Sequence, residues 1–238
     1  MLISEVYFDG SIKERMVAEL LRLPESIRPV MYSDDEEKKS NTQLITDVNR
    51  FRFFRERNPL GYFLRGNGVL FDLTLRGNYC SIYTEFEKVE ELNMLPEYLQ
   101  HLSRAGITFG FVCENSEYLH RNRHYFEIGE NKIESWVGRD LTKYIPGLYW
   151  CTYVSWPMAK LHRLNVEGIT TAAESRLRSD DGLLIKFFLH PHEWELNMER
   201  LDDLCASLSG VFSILEVKKH VPTQASYAEL TSFLSKWQ

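Results

Sequence analysis

The sequence predicts an α+β protein with antiparallel sheets built from hairpins and helices packed against them. Three observations carry that prediction. Strand-length apolar runs arrive in neighbouring pairs joined by turn residues. Helical periodicities fall between the pairs without the regular βαβα alternation of a doubly wound sheet. The chain is also 44% hydrophobic and 13% aromatic over 238 residues, enough to bury a core without a disulfide or metal staple. No repeat of fixed period and no Pro- or Gly-rich linker cuts the chain. Residues 1–238 therefore read as one domain, with any division into subdomains expected near 105–125.

Taken in order, residues 2–8 read as a first strand. Ser11 with Glu14 has capping-box spacing, and Met16, Val17, Leu20 and Leu21 follow at helical spacing until Pro24. Asp34-Asp35-Glu36-Glu37-Lys38-Lys39 reads as a charged loop. Residues 41–57 read as a helix, with Leu44, Ile45, Val48, Phe51 and Phe54 on one side and Arg50, Arg52, Arg55 and Arg57 forming the most basic patch. Residues 69–76 and 79–86 alternate around Gly77-Asn78, a strong hairpin signal. Residues 95–104 read as a helix stopped by Gly106, and 107–113 as a buried strand. A second hairpin is expected from 125–128 and 132–137 around Gly129-Glu130-Asn131. Residues 148–156 read as an aromatic-rich strand, 157–164 as a short helix and 183–189 as a continuous apolar strand. Residues 194–208 form the best late helix, with Leu201, Leu204, Cys205 and Leu208 on one face.

The net charge is −6, from 34 acidic and 28 basic residues. That balance argues against a nucleic-acid binder, which carries a basic face, and suits a basic protein partner. Cys80, Cys113, Cys151 and Cys205 are far apart and form no CxxC pair, so they read as reduced core thiols. The first residues, Met1-Leu2-Ile3-Ser4-Glu5, lack the basic and apolar regions of a signal peptide, and no run approaches a membrane span. The expected address is the cytoplasm.

Searches for chemistry return little. There is no GxxxxGK[ST] or GxSxG, and Gly61, Gly66, Gly68 and Gly77 lack dinucleotide-fingerprint spacing. His190-Pro191-His192-Glu193 could contribute to a metal-binding enzyme site, but nothing points to further ligands. Pro191 favours a strand-to-helix connection, with Glu193 near a helix start. Arg121-Asn122-Arg123-His124 could grip a phosphate; a solvated loop entering a strand is the favoured reading. Cys113 with His120 or His124 could suggest a thiol nucleophile, but an apolar strand keeps a thiol inert. The residues predict no enzyme and call for no cofactor.

The most unusual stretch is Glu134-Ser135-Trp136-Val137-Gly138-Arg139-Asp140, continuing through Lys143-Tyr144-Ile145-Pro146-Gly147-Leu148-Tyr149-Trp150. On physical grounds its rings supply core area, its glycines and proline shape turns, and Arg139-Asp140 could be an ion pair holding a loop. This run resembles the bacterial immunity protein 52 family and its relatives among type VI secretion immunity proteins. The resemblance extends over most of the chain, from the early helix-hairpin region to Trp194. It implies a cytoplasmic antitoxin that binds and neutralises a cognate secreted toxin, with a nuclease of restriction-endonuclease-like fold as the implied effector. It implies no catalytic or cofactor residues. The shared Trp136, Gly138, Arg139, Asp140, Pro146, Gly147, Tyr149 and Trp150 are expected to hold the fold, since each immunity protein must fit a different toxin. The candidate toxin-binding residues are two acidic clusters, Asp34-Asp35-Glu36-Glu37 and Glu85, Glu87, Glu90, Glu91. A metal enzyme using His190, His192 and Glu193, or an adaptor with no toxin partner, are the competing readings.

Overall fold

A computed structural model describes residues 1–37, 43–76, 79–87, 92–220 and 227–237. The architecture is α+β, as the hairpins predict. The chain forms two compact units. The first comprises 1–112, 152–155 and 177–184; the second comprises 113–151, 156–176 and 185–238.

The first unit carries a ten-stranded sheet, with β1 (Leu2–Asp9), β2 (Met31–Ser33), β3 (Gln43–Leu44), β4 (Gly61–Gly66), β5 (Val69–Thr74), β6 (Tyr79–Phe86) and β7 (Ile107–Glu114). With β10 (Cys151–Ser155), β11 (Ser175–Arg178) and β12 (Gly182–Lys186), the order is β11-β12-β10-β7-β1-β6-β5-β4-β2-β3. The predicted hairpin is its centre. β5 pairs antiparallel with β6 from Val69↔Phe86 to Thr74↔Ser81, and β6 pairs with β1 from Leu2↔Phe86 to Asp9↔Tyr79. Gly77-Asn78, the expected turn, lies outside the described residues.

Period-2 alternation sorts the strands into two faces. On one, Val6, Phe8, Ile82, Phe86, Phe71 and Leu73 are buried. Helix α1 (Lys13–Leu20) contributes Met16, Val17 and Leu20 to this unit's core, and α3 (Met94–Ser103) contributes Leu95, Leu99 and Leu102. Thr84 and Tyr98 share a 3.0 Å hydrogen bond that ties α3 to the sheet. Gly110 permits this approach: a Cβ there would lie 3.2 Å from Val6 Cγ2 and 3.3 Å from Leu99 Cδ2.

Some sequence expectations are corrected here. Ser11 does not cap α1; Asp9 caps a short 3-10 turn by accepting the Ser11 N–H at 2.8 Å, and α1 continues from that turn. The helix read over 41–57 is shorter. Gln43–Leu44 pairs with β2, and α2 runs Val48–Arg57 behind an Asp47 cap that accepts the Arg50 N–H at 3.0 Å. Only Phe51 of its apolar set is buried inside the helix, while Leu44 and Val48 are exposed. Strand β4 went unread, yet it pairs with both β2 and β5.

The second unit holds α4 (Asn115–Asn122), the hairpin β8 (Arg123–Ile128) and β9 (Asn131–Trp136), α5 (Trp156–Leu161), α6 (Val166–Thr171), α7 (Trp194–Ser207), α8 (Ile214–His220) and α9 (Tyr227–Leu234). The hairpin registers Arg123↔Trp136 through Ile128↔Asn131, and Gly129 turns with φ +60°. Phe126, Val137, Tyr144, Phe212 and Val217 form a buried cluster, joined by Ile128, Ile133 and Trp237. All four cysteines are free and buried, and burial pushes Cys151 up to about 12 and Cys205 up to about 11. They are core thiols, as expected.

Candidate functional site

The acidic residues singled out from the sequence lie in the first unit, and the structure brings only some of them together. Strand pairing builds a cross-strand row, Ser33–Phe63–Asp72–Tyr83–Glu5, on the face opposite α3. The next row is Met31–Arg65–Leu70–Glu85–Ile3. Directly opposed residues on one face touch through their side chains. Phe63, Asp72, Tyr83 and Glu85 are all only half-buried, so this part of the sheet is open.

Asp72 was not among the predicted residues. Its carboxyl is raised above the usual carboxylate range by burial, then by the charges of Glu36 and Glu85. Two of the predicted residues, one from each cluster, thus converge on a third carboxylate. The signal for it was present: Asp72 sits at a polar-face position of the alternating run 69–76.

The other acidic residues play different parts. Asp35 shapes the loop after β2, accepting the Glu37 N–H at 2.9 Å, and the Ser33 hydroxyl donates to its carbonyl at 2.8 Å. Asp34 and Glu37 are exposed beside it. Glu87 lines a hollow of about 290 Å³ with Met31, Arg65 and Leu70 of the second row. Glu90 and Glu91 lie outside the described residues.

In the second unit, the resemblance-bearing segment is tied to α4. Trp150 is buried; its indole N–H donates to the Phe188 carbonyl at 2.9 Å, and its carbonyl accepts the Phe187 N–H at 2.9 Å. Tyr149 is buried against Asn122, whose Nδ2 donates to the phenol oxygen at 3.0 Å. Arg139 donates to Asn122 Oδ1 at 2.7 Å and to the Val137 carbonyl at 3.1 Å. Asp140 does separate work, accepting the Thr142 N–H at 3.0 Å and standing 3.4 Å from Lys143 Nζ. Pro146 and Gly147 are buried in the same loop, and Gly147 has φ +145°. Gly138 donates its N–H to the Trp237 carbonyl at 2.6 Å. Trp136 departs from the expectation: it is 42% exposed, with its indole N–H donating to Glu134 at 2.8 Å. It sits on the outer face of β9, with the Tyr118 ring 6.2 Å away.

Beneath Trp150 lies a charged network that sequence reading missed. Arg121 Nε donates to Glu117 at 3.2 Å, and its Nη1 donates to Asp202. All three side chains are buried. Glu117 also accepts the Trp150 N–H at 3.4 Å, and His120 Nε2 lies 3.1 Å from Asp202 Oδ2. Burial pushes Glu117 up to about 7, even with the Arg121 guanidinium against it. Burial also opposes the Asp202 charge, but His120 and Arg121 hold that carboxyl below the usual range. The sequence signal was the Glu117–Arg121 spacing of four on a helix. Arg121 and Asn122 are therefore not in a solvated loop: they end α4 and face inward.

His190-Pro191-His192-Glu193 forms the predicted strand-to-helix connection. Glu193 accepts the His190 N–H at 3.2 Å, and the two imidazoles stack 5.3 Å apart. Among the described residues, no group of three or more His, Cys, Asp or Glu side chains gathers as a metal site. Nor is any helix among them long and apolar enough to cross a membrane.

No protein-family model and no curated protein matches the chain. Among solved structures it is similar to the T6SS protein PA0821 of Pseudomonas aeruginosa, at 12% identity and a TM-score of 0.48. That match covers 78% of this chain, and the chain spans 64% of the length of the other.

Proposed function

We propose that this chain is an immunity protein that neutralises a secreted bacterial toxin by stoichiometric binding, with the open sheet face of the first unit as its contact surface. The observation that carries the reading is the convergence of Glu36, Asp72 and Glu85 beside the half-buried rings of Phe63 and Tyr83. Burial, and then the charges of Glu36 and Glu85, raise the Asp72 carboxyl, so bringing these like charges together costs free energy in the isolated protein. A cationic partner would relieve that repulsion on docking. Aromatic side chains among the carboxylates supply the anchors from which contact energy is usually drawn.

The resemblance of 134–150 to the immunity protein 52 family supports the same reading and supplies the partner class. A nuclease presents a cationic groove to nucleic-acid phosphates, so carboxylates there would compete with substrate and speed association. The role assigned to the motif agrees with this division of labour. Tyr149, Trp150 and Arg139 are occupied in holding the second unit, leaving surface positions elsewhere to vary with the toxin. In this proposal the protein acts in the cytoplasm, without turnover and without a cofactor.

The test is co-expression with the product of the adjacent toxin gene, followed by purification and binding kinetics. A stable complex, together with protection of cells from the toxin, is the expected result. A protein that neither binds that product nor protects cells from it has another function.

A further inference from the structure

A second feature lies in the other unit and is independent of the toxin-binding reading. Helices α4, α7 and α8 and strand β8 enclose an open cleft of about 700 Å³. Its polar lining is Ser116, His120, Arg123, His124 and Lys218; its apolar walls include Phe126 and Trp194. Among the described residues no carboxylate lines it. Asp202 is engaged with Arg121 and His120, and Glu114 accepts from Ser116 at 3.2 Å. Arg123 and Lys218 thus face the cleft without a carboxylate lining it to offset their charge.

His124 adds an unsatisfied group. It is 7% exposed, packed 5.7 Å from the Phe212 ring, and its Nε2 has no hydrogen-bond partner. The ring does bond to the Arg121 backbone, and since Nε2 is unpartnered that bond runs through Nδ1. A carbonyl there takes a proton from Nδ1, which leaves Nε2 a lone-pair acceptor with no donor. Buried polar atoms in this condition are uncommon and call for a missing partner. Burial and the neighbouring His120 and Lys218 charges favour the uncharged ring, which fits this tautomer. His120 is oriented in turn by Asp202 at 3.1 Å, and its ring lies 5.6 Å from Trp194.

We propose that this cleft binds a phosphate monoester whose ester group is planar and largely apolar. The monoanion of such a group, which predominates below its second pKa of about 6, carries what the lining lacks. Its charged oxygens can accept from Arg123 and Lys218, and its one P–O–H can donate to His124 Nε2. The organic part lies against Trp194 and Phe126. A carboxylate anion would satisfy the cations but bring no proton for His124, and a neutral ligand would leave the cations uncompensated. No covalent step is involved; the site binds.

The experiment is calorimetric titration of the full chain at about pH 5, where the phosphates are monoanions, with phenyl phosphate, inorganic phosphate, benzoate and methyl phosphate in parallel. Phenyl phosphate should saturate, with the other three at least about tenfold weaker, since each lacks either the apolar group or the phosphate proton. Arg123→Gln and Lys218→Gln alter partly exposed side chains and should leave the melting temperature unchanged. Each should weaken phenyl phosphate about tenfold, the usual effect of losing one charge-assisted hydrogen bond. The ¹⁵N resonance of His124 Nε2 should move toward the protonated or hydrogen-bonded position on titration. Absence of saturable binding overturns the proposal, as does equal binding of phenyl phosphate by wild type and both variants. An unmoved His124 resonance at saturation removes His124 from the site. Binding of inorganic phosphate as tight as phenyl phosphate reduces the site to a simple anion hole and overturns the ester assignment.

Discussion

At the scale of single residues, the two tryptophans of the 134–150 segment separate cleanly. Trp150 is fully enclosed and uses its backbone N–H, its carbonyl and its indole N–H. Truncating such a ring costs about 3–5 kcal/mol. Trp150→Ala should therefore lower the melting temperature sharply or prevent folding. Trp136 is 42% exposed, so Trp136→Ala should cost about 1 kcal/mol or less. Thermal melts of the two variants side by side check the contrast; equal losses would mean that exposure misjudges Trp136.

Glu117 gives a second residue-scale prediction, through pH. Its folded carboxyl titrates near 7 against an ordinary value of 4.5, so the folded state holds a proton that the unfolded chain releases. The stability from that proton is fully present below pH 4.5 and is lost as pH rises through about 7. His124, depressed to about 4 from 6.5, acts with the opposite sign: its contribution is present above 6.5 and lost as pH falls through 4. The whole-protein curve mixes the two, so the informative quantity is wild type minus Glu117→Gln. That difference should fall by a few kcal/mol between pH 4.5 and 7, on the order of 1.4 kcal/mol per pK unit. Urea unfolding at a series of pH values measures it, and a flat difference would place Glu117 in an ordinary environment.

At the scale of elements, hairpins were legible and polar helices were not. β5–β6 and β8–β9 announce themselves by alternation broken at Gly-containing turns. Helix α7 shows apolar residues at helical spacing, and α3 ends at Ser103, shortly before Gly106, whose φ of +97° suits glycine. Helix α4 went unread because its inward positions include Glu117, Arg121 and Asn122, so it offers little apolar periodicity. The helix over 41–57 was overextended for the opposite reason. Leu44, Val48 and Phe51 fit a helical stripe, but Leu44 lies on an edge strand and Val48 is exposed. Strand β4 was hidden by the glycines at its two ends. Those glycines are required: a Cβ on Gly61 would sit 2.3 Å from the Leu73 carbonyl oxygen, and its φ is +155°. Gly61→Ala should therefore destabilise the β4–β5 pairing by more than the ~1 kcal/mol of a typical substitution, read as a lowered midpoint in denaturant. Wild-type stability would show that the strand can shift away from the clash.

At the scale of the whole molecule, the sequence foretold an acidic protein with carboxylates at the surface, but not which of them meet. Glu36 and Glu85 are forty-nine positions apart in the numbering and both act on Asp72, Glu85 across the β5–β6 pairing and Glu36 from the loop after β2. A linear cluster such as 34–37 does not show which carboxylates meet, because a sheet gathers one residue from each of several strands. The same holds in the second unit, where Asp202 reaches Arg121 from another helix.

The central claim is that the Glu36, Asp72 and Glu85 surface meets a cationic toxin. Its most direct test is the association rate of the purified chain with the adjacent-gene toxin at several salt concentrations, for wild type and for Glu36→Gln/Asp72→Asn/Glu85→Gln. Rim charges set association rate and its salt dependence more than they set dissociation. The triple variant should retain its fold, associate about tenfold or more slowly at low salt, and show a flatter salt dependence. A folded variant that associates at the wild-type rate at low salt, with the wild-type salt dependence, would contradict the account and move the contact surface elsewhere on the molecule.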